Sequence, residues 1–260
     1  MPLILSDLHL GLAPLEPAQL QPLVEAADEL WLNGDTAETR HPRYMNRGTR
    51  LLADLENRCA RAGTPLLRLA GNHDHDAALP LHRMLADGRV LVTHGHAFLP
   101  CIAPWSVWAK EAQQRYDSHI RSLPMHERAS MQAALHAAAA ASEAAWTDTS
   151  RERKLHAAAM LLRPWAVLQV LKTWAAWPEL SESFAATHTP EARVVISGHS
   201  HRRSVHMRGT RTLMNTGSFN PPSRAAAVWV QGNQVDWIPL SLRRDRYDLP
   251  PESRWIRASV

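Results

Sequence analysis

Leu66-Leu67-Arg68-Leu69-Ala70-Gly71-Asn72-His73-Asp74 decides how the chain is read. A short apolar run, long enough for a strand and too short for a helix, stops at glycine and passes into an amide, an imidazole and a carboxylate. The same form recurs. Leu3-Ile4-Leu5 runs into Ser6-Asp7-Leu8-His9, and Leu30-Trp31-Leu32 into Asn33-Gly34-Asp35. Residues 89–93 run into His94-Gly95-His96, and residues 193–197 into Gly198-His199-Ser200-His201.

Working outward, the stretches between these strands have helical spacing. Residues 17–30 read as one helix. Residues 43–62 read as another, with Leu51, Leu52, Leu55 and Cys59 on one face and Gly63 and Pro65 as its stop. Strands alternating with helices imply βαβ units, whose strand ends gather on one rim where ligands bind. Residues 212–215 form a further strand leading into Thr216-Gly217-Ser218. Residues 226–230 and 234–240 flank Gly232-Asn233, a hairpin signal.

Between residues 100 and 190 the strand signals vanish. Residues 129–145 hold ten alanines, which favours helix strongly. Helices are expected over 105–121, 125–146, 151–162 and 165–177, punctuated by Pro124, Pro164, Pro178 and Pro190. Six of the ten tryptophans fall here. The expected organisation is a core of 1–99 and 192–242, a helical insertion or cap over 100–191, and a polar tail over 243–260 packed on the surface. No internal repeat is visible.

A chain of 260 residues buries enough surface to need no disulfide framework, and Cys59 and Cys101 are its only cysteines. With 45% hydrophobic and 21% charged residues it is ordinary globular material, not a disordered tail or a collagen. A net charge of +4 is compatible with anionic substrates without arguing for them. No basic leader and no apolar run of membrane-spanning length is seen, so a cytoplasmic location is expected.

The strand-end groups are carboxylates, imidazoles and an amide oxygen, a mixture suited to Mn²⁺, Fe²⁺ or Zn²⁺ more than to an all-oxygen Ca²⁺ site. In order they spell D-x-H, G-D, G-N-H-D, H-G-H and G-H-x-H, which resembles the calcineurin-like metallophosphoesterase superfamily. The resemblance covers residues 1–99 and about 192–220, not the insertion. It implies an α/β fold of two packed mixed β-sheets flanked by helices, here with an inserted helical cap. It also implies two divalent ions, manganese first and iron, zinc or magnesium as alternatives. Asp7, His9, Asp35 and His201 would hold one, and Asp35, Asn72, His94 and His199 the other. A shared hydroxide would attack the phosphorus of a phosphate monoester or diester in line. His73 would face the scissile phosphate as acid or hydrogen-bond donor. Glu38 would orient His73, with Asp74 as its rival.

Other residues carry less. Arg202 and Arg203 are candidates for a substrate phosphate, weighed evenly against a solvated turn. Arg40, Arg43 and Arg47 form a weaker basic cluster. His96 reads as a pocket-lining residue rather than a ligand, and His75 and Asp76 as loop. Trp165, Leu168, Leu171, Trp174 and Trp177, near Lys172, have roughly helical spacing, which fits core packing first and peripheral membrane or lipid contact second. The layout is also similar to the UDP-2,3-diacylglucosamine pyrophosphohydrolases, which act on a lipid-linked nucleotide sugar. Those enzymes typically carry Arg in place of His73 and Asp in place of His96. A nucleic-acid phosphodiesterase is a further alternative, although no lysine-rich stripe supports it. A non-enzymatic scaffold of the same fold would be expected to have lost ligands.

Overall fold

The computed structural model describes residues 1–74, 76, 78–143 and 164–260. The helix expected over 151–162 and the last residues of the one expected over 125–146 lie outside them, as does His75. The chain divides into two compact units, Met1–Gly95 with Ala185–Val260, and His96–Phe184.

The first unit contains two mixed sheets. One has six strands in the order β13-β10-β9-β1-β2-β3: β1 (Pro2–Leu5), β2 (Glu29–Asn33), β3 (Leu66–Leu69), β9 (Ala226–Gln231), β10 (Gln234–Pro239) and β13 (Ile256–Ser259). The other has five in the order β4-β5-β6-β8-β7: β4 (His82–Leu85), β5 (Val90–Thr93), β6 (Val194–Ser197), β7 (Ser204–Arg208) and β8 (Arg211–Asn215). A two-stranded ribbon joins β11 (Leu242–Arg243) to β12 (Arg246–Tyr247). The α/β class with two packed mixed sheets is thus as expected.

The period of two along a strand explains why central strands are apolar throughout. Leu3 and Leu5 of β1 and Leu30 and Leu32 of β2 join a core with Leu23, Leu51, Leu52 and Leu55 of the helices α1 (Gln21–Ala26) and α2 (Met45–Ala62). Ile4 and Trp31 point the other way. They join Val90, Val92, Val194, Ile196 and Met214 of the second sheet. β1, β2 and β3 run parallel in the first sheet, and β5, β6 and β8 run parallel in the second. Leu5 pairs with Leu32 and Asn33 with Leu69 in one, while Val92 pairs with Ile196 and Ser197 with Asn215 in the other. All the polar strand-end segments therefore leave from carboxyl ends.

Several expectations are corrected. The helix over 17–30 is shorter. A 3-10 turn Pro17–Leu20 leads into α1, and β2 begins at Glu29 because Leu30 pairs with Leu3. The tail does more than cover surface, since β13 pairs antiparallel with β10 and becomes the sheet's edge. β4 was not foreseen. It is a sheet edge, and His-Arg-Met-Leu shows no apolar alternation.

α2 ends as expected, at Gly63 in the left-handed region with φ of 71°. Its Gly48 has a different task. A Cβ there would lie 2.9 Å from Leu10 O and 3.1 Å from both Glu38 N and Glu38 O. Gly48→Ala in a helix interior would ordinarily stabilise by about 1 kcal/mol. Here the neighbouring atoms are backbone and cannot swing away, and overpacking typically costs about 1–3 kcal/mol. The expected result is a lowered thermal midpoint. An unchanged or raised midpoint would show that α2 is not seated tightly on the Glu38 segment.

The second unit is helical among its described residues: α3 (Ala109–Ser122), α4 (Met131–Ser142) and most of α5 (Pro164–His188). α4 starts at Met131 rather than 125, capped by Ser130 Oγ, which accepts from Ala133 N at 3.1 Å. α5 runs through Pro178 instead of stopping there. Pro178 and Trp177 are buried, and packing outweighs the lost backbone hydrogen bond. The tryptophan stripe divides. Trp177 is 5% exposed and stacks near Phe98, while Trp165, Leu168 and Leu171 are 47%, 55% and 50% exposed. Trp174 is half-buried, so core packing accounts for Trp177 and not for the three exposed residues. No described helix is long and apolar enough to cross a membrane.

Candidate metal centre

Asp7, His9, Asp35 and His201 each present a ligand atom, and these atoms all lie within 4.8 Å of one another. The same holds for Asp35, His94 and His199. Asp35 is common to both sets. Asn72 lies beside the second, with Oδ1 at 2.8 Å from His199 Nδ1 and 3.2 Å from His94 Nε2. Across the first set, His9 Nε2 lies 3.0 Å from His201 Nε2, and His201 Nε2 lies 3.2 Å from Asp7 Oδ1. His94 Nε2 is 3.3 Å from Asp35 Oδ2.

The backbone at these positions is unusual. Asp7, His9, Asp35, His199 and His201 have φ of 52°, 46°, 50°, 62° and 57°. The left-handed region is uncommon for residues with a Cβ, although Asp and His enter it more readily than most. Each of these residues follows a strand end and turns its side chain back toward the rim. Two glycines make room. A Cβ on Gly71 would collide with the Asp35 carboxylate, and one on Gly198 with the Asp7 carboxylate and the Ser6 hydroxyl.

The imidazoles are held by their far nitrogens. His94 Nδ1 donates to Asn33 O at 2.9 Å, which leaves Nε2 to face Asp35 and Asn72. His9 Nδ1 donates to Glu38 Oε1 at 2.7 Å, which leaves Nε2 to face His201. Such outer contacts fix tautomer and orientation in metal sites. Glu38 also accepts from His73 Nδ1, at 2.9 Å and 3.0 Å from its two oxygens. One carboxylate thus serves His73, where an orienter was sought, and His9, where none was. The His73 backbone N–H donates to Asp35 Oδ1 at 2.8 Å, and its side chain is 30% exposed while Glu38 is buried.

The electrostatics of the cluster favour positive charge. Burial alone would raise Asp35, yet His94, His73 and His9 hold it well below the carboxylate range. Burial would likewise raise Asp7, but His94 and His201 lower it. Burial opposes the charged form of His94, and Asp35 and Asp7 overcome that to bring it up to about 9. His73 behaves alike, reaching about 10 through Glu38 and Asp35 against burial. Glu38, despite burial, is brought down to about 2 by His73 and His9. Buried carboxylates that draw protons onto neighbouring imidazoles would draw a divalent cation more strongly. The donor set, its convergence and its charge fit divalent metal.

Asp74 has work other than orienting His73. Its Oδ1 accepts from Asp35 N and Gly71 N, both at 3.0 Å, and its Oδ2 accepts from Thr36 N at 2.7 Å. It clamps the segments after β2 and β3 together. Arg203 also differs from expectation. Its Nη1 donates to Ala225 O and Leu240 O at 2.9 Å and 2.8 Å, a structural commitment that weakens its case as a phosphate ligand. Arg202 is exposed. Arg47 pairs with Glu16 at 2.8 Å, and Arg43 lies over the Tyr44 ring. Asp76 caps a turn, accepting from Ala78 N. His96 is fully buried in the second unit.

Sequence reasoning missed the support behind Asp7. Ser6 Oγ donates to the Asp7 carboxylate and lies 2.5 Å from Thr216 Oγ1, and Ser218 Oγ donates to Asp7 O at 3.0 Å. The available signal was Asn215-Thr216-Gly217-Ser218, a polar run at a strand end like the others.

Among solved structures, the chain is similar to a dimetal phosphatase from Danio rerio, with 10% identity, a TM-score of 0.47 and coverage of 99% of this chain and 98% of that one. It is similar to zinc-complexed wild-type Vps29 from Entamoeba histolytica, with 10% identity, a TM-score of 0.47 and coverage of 99% and 98%. It is also similar to the phosphoesterase YfcE from E. coli, with 12% identity, a TM-score of 0.42 and coverage of 99% and 98%. At these scores the likeness carries no functional inference. Comparison with curated proteins gave no match. The family model of the calcineurin-like phosphoesterases matches residues 2–203, most of the chain and the five motifs from Asp7 to His201, and the protein belongs to that family.

Proposed function

We propose that the protein is a dinuclear metal-dependent phosphoesterase that hydrolyses a phosphate monoester or diester. The observation that carries this reading is the convergence of two ligand sets on one shared carboxylate, Asp35. Asp7, His9, Asp35 and His201 would hold one ion, and Asp35, Asn72, His94 and His199 the other. When bound, divalent ions supply the Lewis acidity that makes water nucleophilic near neutral pH and that offsets charge on phosphoryl oxygens. His73 is the residue that would meet the leaving group. It is partly exposed, it is not needed as a ligand, and Glu38 keeps its Nδ1 occupied and its charge positive. Its Nε2 is then the nitrogen that would donate a proton to the departing oxygen. Arg202 remains the arginine with a case for contacting substrate.

The test is a screen of phosphomonoesters, phosphodiesters and nucleotide-sugar pyrophosphates, with manganese, zinc, iron or magnesium added to chelator-treated protein. Manganese is the first ion to try. The pyrophosphate arm covers the lipid-linked alternative, and the exposed Trp165, Leu168 and Leu171 justify a hydrophobic member in it. A nucleic-acid enzyme would show itself in the diester arm. Protein that binds two ions and hydrolyses none of these classes would be a scaffold instead.

Glu38→Gln tests the shared support. The variant loses a charge facing both His9 and His73, so metal affinity and turnover should fall together. Outer contacts of this kind are typically worth ~10–100-fold in affinity. Turnover that falls while affinity is unchanged would confine Glu38 to His73.

A further inference from the structure

The segment of residues 198–201 holds two left-handed residues, His199 and His201, in alternate positions. Residues with a Cβ keep such a conformation only where their surroundings over-determine it. The surroundings here centre on one side chain. Asn215 Nδ2 donates to Gly198 O at 2.7 Å and to Ser200 Oγ at 3.1 Å. Asn215 Oδ1 accepts from Gly217 N at 2.9 Å. Its own carbonyl accepts from Trp237 Nε1 at 3.0 Å, and the residue is 2% exposed. It stands at the end of β8, opposite Ser197 of β6. From the other side, His199 N donates to the Asp7 carboxylate at 3.2 Å and 3.1 Å.

We propose that Asn215 is a positioning residue for both ions. It fixes the turn that presents His199 to one set and His201 to the other, and so rests on the ligand assignment above. The chemistry requires asparagine. Its head group combines two N–H donors with one acceptor at a single reach. Aspartate has the same shape but no N–H, so a carboxylate oxygen would face Gly198 O with no hydrogen between them. Because His199 and His201 belong to different sets, both affinities should change together. A ligand substitution in one set alone would not do this.

The test is Asn215→Asp in the full chain, with Mn²⁺ binding followed by titration calorimetry and amide exchange measured on the metal-free protein. Both affinities should fall ~10–100-fold, the usual range for an outer contact. Amides of residues 198–201 should exchange faster even with no metal added. Leu55→Ala, a core truncation among α2 and the first sheet, is the matched control. It should lower the thermal midpoint while leaving affinity and loop exchange as in wild type. Asn215→Ser, which removes the amide without adding a charge, serves if the aspartate variant does not fold, and should show the same losses. Wild-type affinities in Asn215→Asp would overturn the inference, as would equal affinity losses in Leu55→Ala. A wild-type chain that takes up no divalent ion would overturn the ligand assignment as well, and is told apart by that first titration.

Discussion

Asp35→Asn is expected to abolish turnover and to weaken both ions at once. Among the described residues, Asp35 is the carboxylate common to both candidate ligand sets, with His94 Nε2 at 3.3 Å and His9 Nε2 at 3.8 Å from its Oδ2. The substitution keeps shape and an acceptor for the His73 N–H, but it removes a negative charge that is 1% exposed. Outer-contact substitutions in metal sites already cost ~10–100-fold in affinity, so loss of a shared inner charge should exceed the upper end of that range. The metal-free variant should still fold, because the imidazoles it faces can give up their protons. Metal content by elemental analysis and affinity by titration, alongside a far-ultraviolet spectrum, separate these effects. A folded Asp35→Asn protein with two ions per chain and full activity would refute the shared-carboxylate centre.

His73→Ala should do the opposite. Metal content should stay near wild type while kcat falls by ~10²–10⁴-fold, the usual worth of a positioned general acid. The loss should shrink for substrates whose leaving group needs no proton, such as nitrophenyl esters. A second signature is available without turnover. The His73 value is raised to about 10 in the folded protein from an ordinary 6.5. A raised histidine contributes stability that is complete below its unfolded value and lost as pH climbs through its folded one. The metal-free wild type should therefore lose stability between about pH 6.5 and pH 10, and His73→Ala should lose less across that window. Loss of metal from the variant would instead make His73 a ligand. Equal kcat losses for good and poor leaving groups would remove its role as acid.

The parts of this site that were legible in sequence share one property: each proposed ligand lies within a few residues of an apolar run. Strand length and the abrupt change to glycine and polar groups can be read locally, and parallel pairing then brings Asp7, Asp35 and Asn72 to one rim without further information. What could not be read depends on partners distant in sequence. Ser6 meets Thr216, Glu38 meets His9, and Asp74 meets the backbone at Asp35 and Thr36. Nothing near Arg203 announces that Ala225 and Leu240 will occupy its guanidinium. β13 is invisible for the same reason, since its pairing with β10 is the only thing that makes residues 256–259 a strand. Pro178 misled because a local rule was overridden by packing around it.

The left-handed backbone at Asp7, His9, Asp35, His199 and His201 has an evolutionary consequence. At these five positions the residue that the chain's conformation prefers and the residue that chemistry demands are different. A non-glycine residue held there costs roughly 1–2 kcal/mol, against about 0.5–1 kcal/mol of extra unfolded-state freedom for glycine. His201→Gly should therefore melt no lower than wild type when both are metal-free, while losing a proposed ligand. If the proposed metal-dependent reaction is what holds these residues, a lineage released from it is expected to drift toward glycine at these turns with its fold intact. Histidine and aspartate retained at all five would mark descendants in which the ions still matter.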